Sequence, residues 1–272
     1  MGLQHAKAEL ADSRFADIRW TAETGSTNTD AMAILDENRR RKPASPKAVV
    51  VVADHQSAGR GRLDRSWESA SADSLLVSVG TTTEIDVNLR GLLLTAAGLG
   101  AVSACEDTTG YRPKLKWPND IVAPGSGTDG ADLKLGGILA EAQPADGLTA
   151  TVVGIGLNCN WERAPEGLES IAISLKQLTG QAVDRTELLV ALVKSFETNL
   201  EFLESGSATE LLIRARAESA TLGREIRVTT PDSQLEGKAV DIDSEGALIV
   251  EDDSGESHRV VVGDVIHARP AD

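Results

Sequence analysis

Six successive apolar residues, Ala48-Val49-Val50-Val51-Val52-Ala53, constrain the fold more than any other stretch of the chain. So short a run has no polar face to offer water, so it fits a strand covered on both sides of a sheet. A second strand, Ser74 to Thr81, follows a polar, glycine-containing loop. Further on, Lys114 to Ile121, Leu133 to Gln143 and Thr149 to Asn158 read as three more strands, separated by Pro/Gly/Asp-rich turns such as Pro124 to Gly130. Strands in direct succession predict a mixed or antiparallel sheet.

Helical patterns supply the covering layers. Ser26 to Arg41 carries Met32, Ile34 and Leu35 at helix-compatible spacing, with Ser26, Thr27 or Asn28 as N-cap, and Lys42-Pro43-Ala44-Ser45-Pro46 breaks it. Asn88 to Gly110 reads as a long core helix ending on glycine. Thr186 to Ser205 repeats Leu188, Leu189, Leu192, Val193, Phe196, Leu200 and Leu203, and Glu210 to Ala220 adds another helix. From Leu222 the texture changes to short β runs, Glu225 to Thr229, Leu235 to Ile242, Ala247 to Val250 and His258 to Val262, which predict a small barrel. The expected fold is α+β: a mixed sheet covered by helices over residues 1–220, then a small β domain over 221–272.

Charge narrows the function. Lys plus Arg number 27 against 42 Asp plus Glu, a net charge of −15, the wrong sign for general nucleic-acid binding. Residues 232–272 alone hold eleven acids and three bases. Cys105 and Cys159 lie outside any C-x-x-C spacing, so neither a disulfide framework nor a zinc site is expected, and a reducing cytoplasm fits. The opening MGLQHAKAELADSRF has no continuous apolar region and no later stretch approaches membrane-spanning length, so neither export nor membrane insertion is predicted. His5, His55, His258 and His267 lack ligand spacing, so no protein-built metal cage is indicated.

Against this acidic background, Gln56-Ser57-Ala58-Gly59-Arg60-Gly61-Arg62-Leu63-Asp64-Arg65-Ser66-Trp67 gathers three arginines and two glycines directly after a buried strand. Glycines let the backbone approach a ligand, and guanidinium forks match carboxylate or phosphate oxygens, so the loop suits an anion. A solvated turn paired with surface acids is the competing reading. Lys116, Asn119 and Asp120 surround a Trp117-Pro118 turn, which in isolation is ordinary turn chemistry. Lys134 sits at the edge of an apolar strand and either snorkels outward or points into a cleft. Gly154-Ile155-Gly156 lacks the third glycine and following helix of a dinucleotide loop, and no P-loop occurs.

Taken in order, Ser26-Thr27-Asn28, the Gln56 to Arg62 loop with Arg65 and Trp67, Lys116-Trp117-Pro118-Asn119-Asp120, and Lys134-Leu135-Gly136-Gly137-Ile138-Leu139 resemble the biotin protein ligases. The resemblance implies a catalytic domain like that of class II aminoacyl-tRNA synthetases and biotin synthetases, followed by an SH3-like barrel. It implies activation of biotin by MgATP as biotinyl-5′-AMP and transfer to a lysine of the biotin carboxyl carrier domain of an acyl-CoA carboxylase, by a monomer or weak homodimer. Arg62 and Lys134 match the catalytic cations. Ser26, Thr27, Asn28, Gln56, Gly59, Arg60, Gly61, Arg62, Lys134 and Gly137 match the biotin side; Arg62, Arg65, Trp67, Lys116, Asn119, Asp120 and Asn158 match the ATP side. Mg²⁺ would come with the nucleotide, with Asp120 as a possible ligand.

Two departures carry expectations of their own. Gly136 replaces the alanine common in the family and is expected to enlarge the pocket, and the Val122–Asp132 spacer is longer than in compact members. With about two dozen residues before Ser26 and no helix-turn-helix, the chain is expected to be a ligase only. Lipoate or octanoate attachment and a non-catalytic biotin sensor are the alternatives; the Gly-Arg-Gly-Arg loop favours biotin, and the retained Arg62 and Lys134 favour catalysis.

Overall fold

The computed structural model describes residues 2–41, 48–63, 65–67, 72–83, 85, 89, 91–145, 148–230 and 234–267. The 42–46 breaker, Asp64 and the Asn88 helix start lie outside them.

Seven strands form the larger sheet: β1 (Ile18–Thr24), β2 (Ala48–Gln56), β3 (Ser74–Thr83), β4 (Lys114–Lys116), β5 (Asp120–Ala123), β6 (Leu133–Ala145) and β7 (Leu148–Asn158). Their order is β1-β2-β3-β7-β6-β5-β4, with β1/β2 parallel and every other pair antiparallel. The valine run behaves as its composition demands. Val50 and Val52 join the main core, while Val49 and Val51 face the other side against Ala31, Met32 and Leu35 of α2 (Thr27–Arg41). On the main-core face α3 (Gly91–Thr109) packs with α5 (Arg185–Glu204) and α6 (Ala208–Ala217). Gly110 ends α3 at φ 73°, a left-handed position that glycine adopts without strain. Asp184 caps α5 by accepting from the N–H groups of Thr186 and Glu187.

Several elements depart from the sequence expectation, including a strand at Asp264–His267 that no predicted run covers. The polar lead-in contains a helix, α1 (Gly2–Glu9), and β1; α4 (Leu175–Thr179) is a short capped turn of helix. The single strand expected over 114–121 is a hairpin, because the chain reverses at Trp117-Pro118-Asn119 and pairs Lys116 with Asp120. The Val122–Asp132 spacer is a compact turn: Asp132 accepts from the Gly125 N–H at 3.0 Å and pairs with Arg224 at 2.9 Å, tying the turn to the chain beyond α6.

The second sheet has five strands, β8 (Glu225–Thr229), β9 (Gln234–Ile242), β10 (Leu248–Glu251), β11 (Ser257–Val260) and β12 (Asp264–His267), all antiparallel in the order β11-β10-β9-β8-β12. It docks on the first through Trp117, whose backbone N–H donates to Thr221 Oγ1 at 3.0 Å and whose indole N–H donates to the Gly246 carbonyl at 3.1 Å. No helix among the described residues is long and apolar enough to cross a membrane.

Candidate active site

A cavity of about 500 Å³ opens between the larger sheet, the 56–67 loop and β12. Its floor is made by β6 and β7. A β-bulge interrupts the β5/β6 ladder: Val122 pairs with Lys134 and Ile121 with Gly136, leaving Leu135 as the extra residue. The bulge shifts the alternation by one, so Lys134, Gly137 and Leu139 all line the cavity while Leu135 is buried. This settles which way Lys134 points.

Polar groups gather at the α2 end. Gln56 Oε1 accepts from the Thr27 N–H at 2.7 Å and lies 3.0 Å from Thr27 Oγ1. Ser78 Oγ is 2.7 Å from Thr27 Oγ1 and 2.6 Å from Asn28 Oδ1; Asn28 Nδ2 donates to Glu141 at 2.7 Å. Ser78 is fully buried on β3. Ser78 has one proton to donate to either Thr27 Oγ1 or Asn28 Oδ1, while the Thr27 hydroxyl donates to Gln56 Oε1. Gly154 stands so close that a methyl group on it would overlap Asn28 Oδ1.

Cationic groups gather at the other end. Lys134 Nζ pairs with Asp120 at 2.6 Å and lies 5.6 Å from the Trp67 ring centroid. Arg62 donates to Asn119 Oδ1 at 3.1 Å, with its guanidinium 3.4 Å from the Gly263 carbonyl. Burial lowers the Arg62 pKa, and Asp264 and Asp120 push back; burial likewise lowers that of Lys116, opposed by Asp120 and Asp132. Asn119 Nδ2 donates to the Ile138 carbonyl at 2.9 Å and latches the β4/β5 turn to β6. The 59–67 loop folds on itself, Trp67 N–H to Gly59 carbonyl at 2.9 Å and Gly61 N–H to Arg65 carbonyl at 2.6 Å. Ion pairs hold its two sides: Arg60 with Glu141 at 2.9 Å, and Arg65 with Asp264 of β12.

Of the residues singled out from sequence, Ser26, Thr27, Asn28, Gln56, Arg60, Gly61, Arg62, Arg65, Trp67, Lys116, Asn119, Asp120, Lys134 and Gly137 all line this cavity. Gly59 and Asn158 do not. Gly59 lies under the Trp67 backbone, where a Cβ would collide. Asn158 is 2% exposed; its Nδ2 donates to the Lys134 and Ile173 carbonyls, while its buried Oδ1 has no partner among the described residues. The Gly136 expectation is also corrected: a Cβ there would sit 2.7 Å from both the Gly156 carbonyl oxygen and Leu157 Cδ2, away from the cavity, so the glycine closes up strand packing instead of widening the pocket.

The chain matches two family models: the biotin/lipoate A/B protein ligase family over residues 20–158, and the biotin protein ligase C-terminal domain over 221–268. It is 36% identical over 265 residues to the biotin–[acetyl-CoA-carboxylase] ligase of Mycobacterium tuberculosis, spanning 95% of this chain and 92% of that one. The chain belongs to the biotin protein ligase family. The ligase of the same name from Paracoccus denitrificans is 30% identical, covering 86% of this chain and 94% of its own. Among solved structures, biotin protein ligase from Aquifex aeolicus in complex with biotin and ATP superposes with a TM-score of 0.77 at 27% identity, covering 94% of this chain and all of that one.

Two polar groups escaped sequence reasoning: Ser78, buried behind the cavity wall against Thr27 and Asn28, and Asp264, which lines it. Ser78 left a signal, one polar residue inside the run Leu75-Leu76-Val77-Ser78-Val79. Asp264 left none, because only the docking of the second sheet brings it beside Arg62 and Arg65.

Proposed function

We propose that the protein is an ATP-dependent biotin–[acetyl-CoA-carboxylase] ligase. It activates biotin as biotinyl-5′-AMP and transfers the biotinyl group to a lysine of a biotin carboxyl carrier domain. The observation that carries the residue assignment is the gathering of Arg62, Lys116 and Lys134 at one end of a cavity whose other end is a neutral polar network. An apolar acid with a polar ring system matches that division. The ring would meet Ser26, Thr27, Asn28 and Gln56, and the carboxylate would reach the cations.

In the first step a biotin carboxylate oxygen attacks the α-phosphorus of ATP and the bond to pyrophosphate breaks. Two anions approach and charge builds on the phosphoryl oxygens, so fixed cations lower the barrier. Arg62 and Lys134 are placed in that role, with Lys116, Asn119 and Arg65 toward the phosphates and Trp67 toward the base. In the second step the neutral carrier amine attacks the acyl carbon, forms the amide and expels AMP. The folded 59–67 loop excludes water from the mixed anhydride between the two steps.

Among the described residues lining the cavity the carboxylates are Asp120 and Asp264, each paired with a cation, so they form no multi-carboxylate cage. This fits a Mg²⁺ carried by the nucleotide phosphates, with Asp120 the carboxylate that would help to hold it. When bound, the ion would neutralise phosphate charge. We also assign residues 1–220 to the catalytic unit and 221–272 to the C-terminal unit. The two buried free thiols, Cys105 and Cys159, support a cytoplasmic setting.

The test is incubation with biotin and α-labelled ATP without any carrier. Wild type is expected to form biotinyl-AMP and pyrophosphate, and Arg62→Ala or Lys134→Ala to slow this by about 10²–10³-fold with the circular dichroism spectrum unchanged. Failure of wild type to consume ATP with biotin, or adenylation with lipoate alone, refutes the biotin assignment. Wild-type rates in either variant refute that residue's role.

A further inference from the structure

We infer that Glu141 is a positioning residue that couples the ring end of the cavity to the arginine loop, an inference that rests on the biotin-ligase reading above. Glu141 lies on β6, two residues beyond Leu139 of the cavity wall, and does not itself line the cavity. One of its carboxylate oxygens, Oε2, accepts from two donors, Asn28 Nδ2 at 2.7 Å and Arg60 Nη2 at 2.9 Å. A charged acceptor strengthens both bonds. A single atom thus joins a side chain of the ring site to the first arginine of the loop.

Asn28 has little slack. It is buried, its Nδ2 also donates to the Leu139 carbonyl at 3.3 Å, its Oδ1 meets Ser78 Oγ at 2.6 Å, and Gly154 packs against it. The two acceptors on the nitrogen side settle which amide atom faces Glu141. At the other end, Arg60 Nη2 donates to Thr29 Oγ1, in the first turn of α2, at 3.2 Å. The loop accordingly has two anchors of different kind. Arg65 holds Asp264 of β12, away from the ring residues, whereas Arg60 holds a carboxylate whose other bond goes to the ring site. Thr27 and Asn28 line the cavity, so a ring bound there restrains Asn28 and, through Glu141, Arg60. The Arg60–Glu141 pair is half-exposed, so little of the folding stability rests on it. Coupling of this kind is reciprocal: the factor by which a bound ring shuts the loop is the factor by which the shut loop retains the ring.

The experiment is limited trypsin digestion, which cuts an open loop after Arg60, Arg62 or Arg65, with fragments assigned by mass spectrometry and biotin saturation set by titration calorimetry. Saturating biotin, without ATP, is expected to slow these cuts about tenfold in the wild-type protein and less than about twofold in Glu141→Gln, which keeps an acceptor for Asn28 but loses the charge that holds Arg60. By reciprocity the variant is expected to bind biotin about fivefold more weakly, the factor of protection it has lost. A merely structural role would weaken binding yet leave the biotin-loaded loop protected. In an Arg60→Met background, read at Arg62 and Arg65, Glu141→Gln is expected to change protection by less than about twofold. Equal protection of wild type and Glu141→Gln overturns the inference, as does biotin that binds the wild-type protein without shielding the loop. A wild-type protein that binds no biotin removes the underlying reading instead. Should Glu141→Gln not fold, Arg60→Met decides from the other side of the contact: loss of biotin protection at Arg62 and Arg65 is expected, and full protection overturns the coupling.

Discussion

Gly154 has no room for a side chain because Asn28 occupies the space, and Asn28 is in turn held by Ser78 and Glu141. Gly154→Ala must displace Asn28 and break a buried bond, a cost of about 1–3 kcal/mol, so biotin affinity is expected to fall about 5- to 150-fold while ATP affinity is kept. Titration calorimetry with each ligand checks this, and unchanged biotin affinity would move the ring site elsewhere. At this scale the sequence was informative wherever a residue type states its chemistry: the loop arginines, Lys134 and the Thr27-Asn28 pair all reach one cavity. Asn158 shows the limit. Its Nδ2 donates to the Lys134 and Ile173 carbonyls, which no sequence pattern foretells, while its buried Oδ1 has no partner among the described residues.

Segments packed on both faces were the easiest elements to read, since burial forces a composition that nothing else explains. β2, β3, α3 and α5 follow their apolar patterns closely. β1 did not, because it is an edge strand with only Ile18 buried, and its order comes from pairing with β2. β4 and β5 merged in the strand reading even though Pro118-Asn119-Asp120 are turn residues, because the apolar run on either side is short and continuous in character. The other edge, β4, is closed by the chain leaving α6: Leu115 exchanges backbone bonds with Glu218 and Ala220 at 2.9 and 2.7 Å. Glu218 reinforces it, accepting from Arg112 Nη2 at 2.6 Å and Lys114 Nζ at 2.9 Å. Burial alone would raise the pKa of this carboxyl, but hydrogen bonds from Arg112 and Lys114 outweigh it and hold the group below its ordinary 4.5. A depressed carboxylate contributes stability above its unfolded pKa and loses it as pH falls through the folded one. Glu218→Gln is therefore expected to cost about 1–3 kcal/mol near neutrality, with the gap between the two melting curves closing below about pH 4. A gap constant across that range would show that the charge is immaterial.

Across the whole molecule, the second sheet meets the first not only at Trp117 but also at the 59–67 loop. Asp264, on the last strand, pairs with Arg65 and lies 3.9 Å from Arg62. Arg65 is 68% exposed, so this bridge adds little to folding, and its effect is expected instead on the loop that Arg65 belongs to. Asp264→Asn is expected to leave the melting midpoint unchanged and to raise carrier-independent AMP production about two- to fivefold, the factor given by ~0.5–1 kcal/mol. Unaltered leakage would mean the loop stays shut without the bridge. Tertiary docking of this kind is invisible to any local pattern, and the acidity of residues 232–272 gave no hint that one carboxylate serves the cavity.

Ser26 and Ile266 border the same hollow, although 240 positions separate them along the chain. Occupancy at that seam fastens head to tail: a bound adenylate resists thermal unravelling from either terminus, by about 2.7 kcal/mol at a hundred times its dissociation constant. Both halves are then expected to melt together, one calorimetric transition with the adenylate bound being the check.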